Sequence, residues 1–295
     1  MKFAYYPGCT LRTTAVEYDR SLRAVALALG LDLQEVNDWN CCGASPAAAF
    51  DPALGLALAA RNLALAEVQG AKVMLAPCSG CYQKAAKAQR TLSRAEAALD
   101  GVSARAVAAM KAAGQTYRGT VSVRHPVDLF VTDLGLEAVK ARLARPLMGL
   151  RVVCYYGCLL TRPKELTGYA DSSRPTSLDR LTEALGAMPL PFRQRTSCCG
   201  GPVLLSHPEV AFKKTKALLD EALEQQADCL VSPCPLCSMN LDGRQADIER
   251  AFGVRYDMPV LYFTQLMGLA FDLPPRVLGF HKNIVSPRRV LERIR

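Results

Sequence analysis

The sequence predicts an α/β protein made of two pseudo-symmetric Cys-Cys-Gly (CCG) repeats. Each is expected to be a small parallel sheet flanked by helices, the two together forming one compact unit. Three observations predict this: a duplicated cysteine pattern, β-rich runs alternating with helical ones, and a composition that is 50% hydrophobic over 295 residues. Such a composition supplies enough apolar surface for a full core and excludes a disordered chain.

Ten of the twelve cysteines carry the duplication. Cys9, Cys41, Cys42, Cys78 and Cys81 read C-x31-CC-x35-C-x2-C, and Cys158, Cys198, Cys199, Cys234 and Cys237 read C-x39-CC-x34-C-x2-C. Flanking residues repeat too: "YYPGC" at 5–9 with "YYGC" at 155–158, and "APCSGC" at 76–81 with "SPCPLC" at 232–237. Ten cysteines in one order mark an internal repeat, which takes precedence over other organising signals. The repeat divides the chain into residues 1–119, the first CCG repeat with a helical linker, and 120–295, the second with a C-terminal tail.

The elements follow from local pattern. "KFAYYP" and "LRVVCYY" are β-rich runs ending in a Gly-Cys turn. Leu22, Val25, Ala26 and Leu29 fall at helical spacing before Gly30, which stops the helix. "TSLD" at 176–179 is a capping-box pattern opening a helix that ends near Gly186. "LDLQEV" and "MPLPF" are second strands leading to each Cys-Cys-Gly turn, and helices follow at about 53–69 and 208–226. "AKVMLAP" and "DCLVSP" are buried strands that deliver each Cys-x-x-Cys. Residues 82–118 read as long helices joining the halves, "TVSVRHPVDLF" at 120–130 as a strand and a helix, and the tail after "PPR" at 274–276 as irregular. Strands alternating with helices give parallel sheets, whose sites lie beyond the strands' C-terminal ends. All five cysteines of each half are thereby expected at one edge.

Five thiols per half are one more than a tetrahedral zinc uses. Adjacent cysteines point apart and reach one ion poorly, whereas they can serve two irons of one cluster. Ligand number and softness therefore favour iron–sulfur clusters; zinc in one half, disulfides and inert thiols are the alternatives. Cys154 and Cys229 lie outside the repeat, in apolar strands, and are expected to behave as small hydrophobes. The excess of Lys and Arg over Asp and Glu gives a net charge of +9. It is scattered, as on a solvated surface, with docking to an acidic partner or anionic substrate as the alternative. Nothing interleaves aromatic and basic residues as nucleic-acid binding needs. No apolar run approaches the ~20 residues of a membrane span, and "MKFAYYPGCT" lacks a signal-peptide core. A cytoplasmic location is expected.

These motifs, with the ending "GFHKNIVSP", resemble the CCG-domain family, in the branch formed by the B-type subunits of heterodisulfide reductase, over nearly the whole chain. The resemblance implies two noncubane [4Fe-4S] clusters, one on Cys9, Cys41, Cys42, Cys78 and Cys81, the other on Cys158, Cys198, Cys199, Cys234 and Cys237. It implies a disulfide cleaved, or formed, between two facing clusters, each sulfur taken by an iron of one of them. Electrons would come from an iron–sulfur subunit (the C type) and a flavin subunit (the A type), since no Rossmann glycine motif is present to hold a flavin or nicotinamide here. The substrate would be a disulfide or a sulfur carrier protein. The competing function is that of a CCG electron-transfer or docking subunit in a quinone-linked dehydrogenase complex. Ordinary thiol–disulfide exchange needs a free thiolate, and here the Cys-x-x-Cys pairs would be occupied. Of three histidines, His281, beside Lys282 in the C-terminal motif, is the candidate for substrate binding or protonation, because His titrates near neutrality. His125 is read as structural and His207 as exposed at a helix start.

Overall fold

The computed structural model describes residues 1–44, 46–93 and 100–294. Among these described residues, eight strands form two four-stranded sheets. The first holds β1 (Lys2–Tyr5), β2 (Asp32–Glu35), β3 (Val73–Leu75) and β4 (Ser122–Arg124), in the order β2-β1-β3-β4. The second holds β5 (Arg151–Cys154), β6 (Met188–Leu190), β7 (Cys229–Ser232) and β8 (Val260–Tyr262), in the order β6-β5-β7-β8. Every pairing is parallel. The two halves therefore share one topology, as the repeat predicts.

Burial follows position in the sheet. Central β7 is buried along its whole length, as expected of a parallel strand covered on both faces, while edge strand β2 keeps each of its four side chains at least partly in water. Pro189 is tolerated in β6 because that strand is also an edge, pairing only with β5. The helices Val16–Ala28, Pro52–Val68 and Pro208–Glu224 fall where the sequence places them.

The halves meet along the helices Val16–Ala28 and Phe263–Ala270. Tyr18, fully buried, stacks on Tyr262 with ring centroids 4.3 Å apart and planes 8° from parallel. Beside them, the buried hydroxyls of Ser21 and Thr264 share a hydrogen bond of 2.7 Å. One apolar cluster runs from Phe3 through the interface to Val290, so the halves share a core.

Four details differ from the sequence reading. The strand at 122–124 lies beyond residue 119, yet it pairs with β3 and closes the first sheet. It is the counterpart of β8, and the segment after it continues as a helical turn, Pro126–Asp128, into a π-helical turn, Leu129–Asp133. The capping box at 176–179 does not form. Thr176 makes no side-chain cap, and the Tyr156 hydroxyl instead accepts from the N–H groups of Leu178 (2.8 Å) and Asp179 (3.2 Å). The tail is not wholly irregular: it holds a 3-10 turn at Phe280–Lys282 and a helix at Arg288–Arg293. The linking helices are Ser79–Leu92 and Gly101–Ala112, and the stretch 94–99 between them lies outside the described residues.

The turn after each second strand depends on its glycine. Gly43 and Gly200 both have positive φ, +68° and +83°. A Cβ at Gly200 would stand 2.6 Å from the Ala211 Cα, a backbone atom that cannot step aside, whereas one at Gly70 (φ +75°) would meet nothing within 4 Å. Gly200→Ala should therefore lose about 2–4 kcal/mol, from backbone strain plus overpacking, and Gly70→Ala only about 1 kcal/mol. Thermal unfolding of the two variants side by side checks the difference.

Candidate functional site

Parallel strands bring the cysteines together. Cys9 follows β1 in the first turn of the helix Gly8–Leu11, Cys41 and Cys42 follow β2, and Cys78 caps the helix Ser79–Leu92 that carries Cys81. In the second half Cys158 follows β5, Cys198 and Cys199 follow β6, and Cys234 caps the helix Pro235–Leu241 that carries Cys237. All ten lie past the C-terminal ends of their strands.

The two sets are joined. The side chain of Cys41 lies beside that of Cys42, Cys42 beside Cys81, and Cys81 beside Cys78. Cys78 lies beside Cys234 across the interface. The string continues through Cys237, Cys199 and Cys198 to Cys158. Cys9 lies near Cys41. The string is buried in the middle and open at its ends. Cys42, Cys78, Cys81, Cys199, Cys234 and Cys237 are buried, Cys158 and Cys198 half-buried, Cys9 and Cys41 exposed. Among the described residues, no three His, Cys, Asp or Glu side chains gather round one point as a single bound ion requires.

One thiol of each vicinal pair is favoured as thiolate. Cys42 is pushed down by hydrogen bonds from Cys41 and Cys81, helped by the Ala44 N–H and the charge of Lys84. Cys198 is pushed down by bonds from Cys158 and Cys199, helped by the Gly200 N–H and Lys214. Their neighbours Cys41 and Cys199 move up, first because they donate to these thiolates. The N–H groups of Gly200 and Gly201 point at Cys198 and Cys199 sulfur, each at 3.4 Å, and Gly43 and Ala44 do the same for Cys41 and Cys42. Backbone donors of this kind stabilise sulfur anions without adding a charge.

Two tyrosines that sequence reasoning used only as repeat markers hold each turn. Tyr6 donates to the Asn40 carbonyl (2.8 Å) and Tyr155 to the Ser197 carbonyl (2.7 Å), in each case the residue before the vicinal pair. Tyr6 also packs beside Cys81, and Tyr155 beside Cys237. The glycines that follow, Gly8 and Gly157, leave room for these thiols, since a Cβ there would stand 3.0 Å from Cys81 sulfur and 3.2 Å from Cys237 sulfur.

The junction has its own supports. His125 is fully buried just past β4; its Nε2 lies 2.9 Å from the Pro77 carbonyl, and its Nδ1 accepts from the Val127 N–H (3.2 Å). The pattern fits a neutral ring with the proton on Nε2. Burial lowers its pKa to about 4. Tyr18 donates to the Pro233 carbonyl (3.2 Å), next to Cys234. Both residues thus grip the Cys-x-x-Cys turns.

The other candidates lie apart. His281 is exposed, with Arg20 as its neighbour at 3.5 Å. Lys282 lines a cleft of about 370 Å³ that contains Glu17, Ser238, Asp242 and Tyr262 but no cysteine. His207 is exposed before Pro208. Cys154 and Cys229 are fully buried in β5 and β7, and burial pushes both thiols up, as fits apolar filler.

The Cysteine-rich domain (CCG) family matches residues 3–84 and 152–242, one match in each half. The chain belongs to this family. It is 37% identical, over 98% of its length and 99% of the relative's, to the "8-methylmenaquinol:fumarate reductase membrane anchor subunit" of Wolinella succinogenes. It is 30% identical, over 99% of its length and 97% of the relative's, to the B-type subunit of the ferredoxin/F(420)H(2)-dependent CoB-CoM heterodisulfide reductase of Methanosarcina acetivorans. Both names describe parts of oxidoreductase complexes. A hypothetical protein from Helicobacter pylori has the same fold, with a TM-score of 0.76 at 12% identity; the match covers 97% of this chain and 52% of that one. No helix among the described residues is long and apolar enough to cross a membrane.

Two outcomes test this geometry. Tyr155→Phe leaves the Ser197 carbonyl short of a donor and should cost about 1–3 kcal/mol, with faster reaction of Cys198 towards a thiol reagent in the metal-free protein. His125 should remain neutral down to about pH 5 in an NMR titration. Its folded pKa lies below the unfolded value of about 6.5, so its contribution to stability is complete above pH 6.5 and is lost as pH falls towards 4.

Proposed function

We propose that the chain is a heterodisulfide reductase-like catalytic subunit of the B type, which cleaves or forms a disulfide between its two cysteine sets. The observation that supports this most directly is the Cys78–Cys234 contact, which sets two near-equivalent thiol sites face to face. A disulfide likewise has two near-equivalent sulfurs.

The residues suit an iron–sulfur group in each half. Five soft donors are strung out in each set, most of them buried, with backbone N–H groups directed at the sulfurs. Cys9, Cys41, Cys42, Cys78 and Cys81 would hold one cluster, and Cys158, Cys198, Cys199, Cys234 and Cys237 the other, each a noncubane [4Fe-4S]. When bound, the clusters supply one-electron steps and thiophilic iron beside the junction. The chain itself does the rest. Tyr6 and Tyr155 fix the vicinal turns, Gly8 and Gly157 let the thiols approach the backbone, and Tyr18 and His125 hold the two Cys-x-x-Cys turns while keeping water from the junction. Lys84 and Lys214 offset the anionic charge of the sulfurs. Electrons would reach the chain on the cytoplasmic side from an iron–sulfur subunit of the C type and a flavin subunit of the A type, and the substrate would be a small disulfide or a sulfur carrier. His281 and Lys282, set apart from the thiols, would act at the substrate's approach rather than on its sulfur bond.

A second reading draws on the Wolinella succinogenes relative, named as the membrane anchor of a quinol-linked reductase. On that reading the chain docks such a complex and relays its electrons.

Metal analysis with EPR separates the two. Purified anaerobically, the chain should carry about eight irons, and Cys81→Ser or Cys237→Ser should each remove about half. A new EPR signal on adding a substrate thiol supports the disulfide reading. Its absence, with reduction by a quinol, supports the relay, and zinc in place of iron rules out both.

A further inference from the structure

We propose that the cleft between the halves is the proton entry to the Cys78–Cys234 junction, with Glu17 as its proton-holding group. The proposal rests on the disulfide reading. Reducing a disulfide to two thiols consumes two electrons, here from a one-electron iron–sulfur donor protein, and two protons. The electrons come from the partner, but the protons must cross a buried wall, since Cys78 and Cys234 are only 4% and 3% exposed. Tyr18 and His125 at the junction are already committed, and the Ser79 hydroxyl beside Cys78, though unpartnered, is buried and does not line the cleft. Tyr18 donates to the Pro233 carbonyl, and both nitrogens of His125 are engaged by backbone.

The cleft supplies what is missing. It opens between the first-half helix Val16–Ala28, the second-half helix Pro235–Leu241, the end of β8 and the C-terminal tail. Glu17 is buried in its wall, with its own backbone N–H beside its carboxyl. The charged and titratable groups facing it come from each side: Asp242 from the end of the second-half helix, Arg244 just past it, Tyr262 from β8, and Lys282 from the tail. One turn along its own helix, Arg20 is engaged with His281. Burial raises the Glu17 carboxyl to about 7; Asp242 adds to this and Lys282 opposes it. Glu17 therefore exchanges its proton near neutrality. Asp242 is a tuning neighbour rather than a carrier, because its two oxygens accept from the N–H groups of Ile284 (2.7 Å) and Val285 (2.9 Å).

The path inward starts at the same wall. Ser238 follows Cys237 directly; its Oγ is buried, lines the cleft and has no hydrogen-bond partner, although the Tyr262 hydroxyl lies beside it. Tyr262 belongs to both ends of the path. It lines the cleft beside Glu17, stacks on Tyr18 and feels the charge at Cys234. A proton leaves the Glu17 carboxyl, passes along the Tyr262 and Ser238 hydroxyls to a departing thiolate, and is replaced from water in the cleft. Lys282 then acts through Glu17, as a positioning and tuning charge.

The test uses the iron-loaded chain, a one-electron donor and a disulfide substrate, with iron content and circular dichroism as controls. In the wild type, disulfide reduction should fall as pH rises through about 7, because the protonated carboxyl is the donor. Glu17→Gln should slow reduction about 10²-fold and lose that inflection. Glu17→Asp should restore it at lower pH, and Tyr262→Phe should be slower with the inflection in place. The infrared difference between wild type and Glu17→Gln should show a carboxylic-acid band that titrates near pH 7, on top of the bands of buried Asp128 and Asp242 that both proteins share. An active Glu17→Gln with the wild-type profile, or no such band, overturns the role of the cleft alone. A wild type that holds iron but reduces no disulfide overturns the disulfide reading, and this role with it.

Discussion

The contact between Cys78 and Cys234 is the constraint on which the rest of the molecule depends. Two thiols on different sheets can meet only if the C-terminal edges of those sheets face one another. Each sheet must then be parallel, so that all its cysteine-bearing turns emerge on the same side. The helices that follow the first and last strands must also pack against each other, which sets Tyr18 on Tyr262 and Ser21 on Thr264. Topology, interface and site are one geometric requirement seen at three scales.

Burying so many polarisable thiols has a cost that the surrounding residues offset. A buried thiolate lacks water, so backbone N–H groups, lysines and neighbouring thiols take the place of its hydration. The tyrosines beside the cysteines put large apolar faces against sulfur and still find acceptors for their hydroxyls. Their own ionisation is strongly suppressed by burial, so they serve as hydrogen-bond donors and never compete as anions. His125 is held neutral by the same desolvation.

Much of this was legible in the residues. The repeat, the parallel α/β pattern, the edge that collects the cysteines and the apolar role of Cys154 and Cys229 follow from spacing and periodicity, which are local signals. What was not legible depends on partners distant in sequence. The strand at 122–124 has no sequence mark assigning it to the first sheet; only its pairing with β3 does so. Thr176 has the residue type of a cap, but the Tyr156 hydroxyl reaches the same N–H groups. Tyr6 and Tyr155 were visible as repeated letters, and aligning the repeats through Gly8 and Gly157 would have singled them out. Their bonds to Asn40 and Ser197 needed coordinates. Glu17 carried no signal at all, because a glutamate on an amphipathic helix reads as solvent-facing until the tail is seen to cover it.

The unbroken string of sulfurs has a consequence for how such a protein can change over time. In most duplicated proteins one copy is free to drift while the other preserves the original role. Here each copy completes the other's interior. Loss of Cys78 or Cys234 leaves a buried thiol in the opposite half without its neighbour, so a change at the junction in one half is felt in both. The two halves are therefore coupled at their buried centre, while the outer ends, where Cys9 and Cys41 are exposed and Cys158 and Cys198 half-covered, are each built by one half alone.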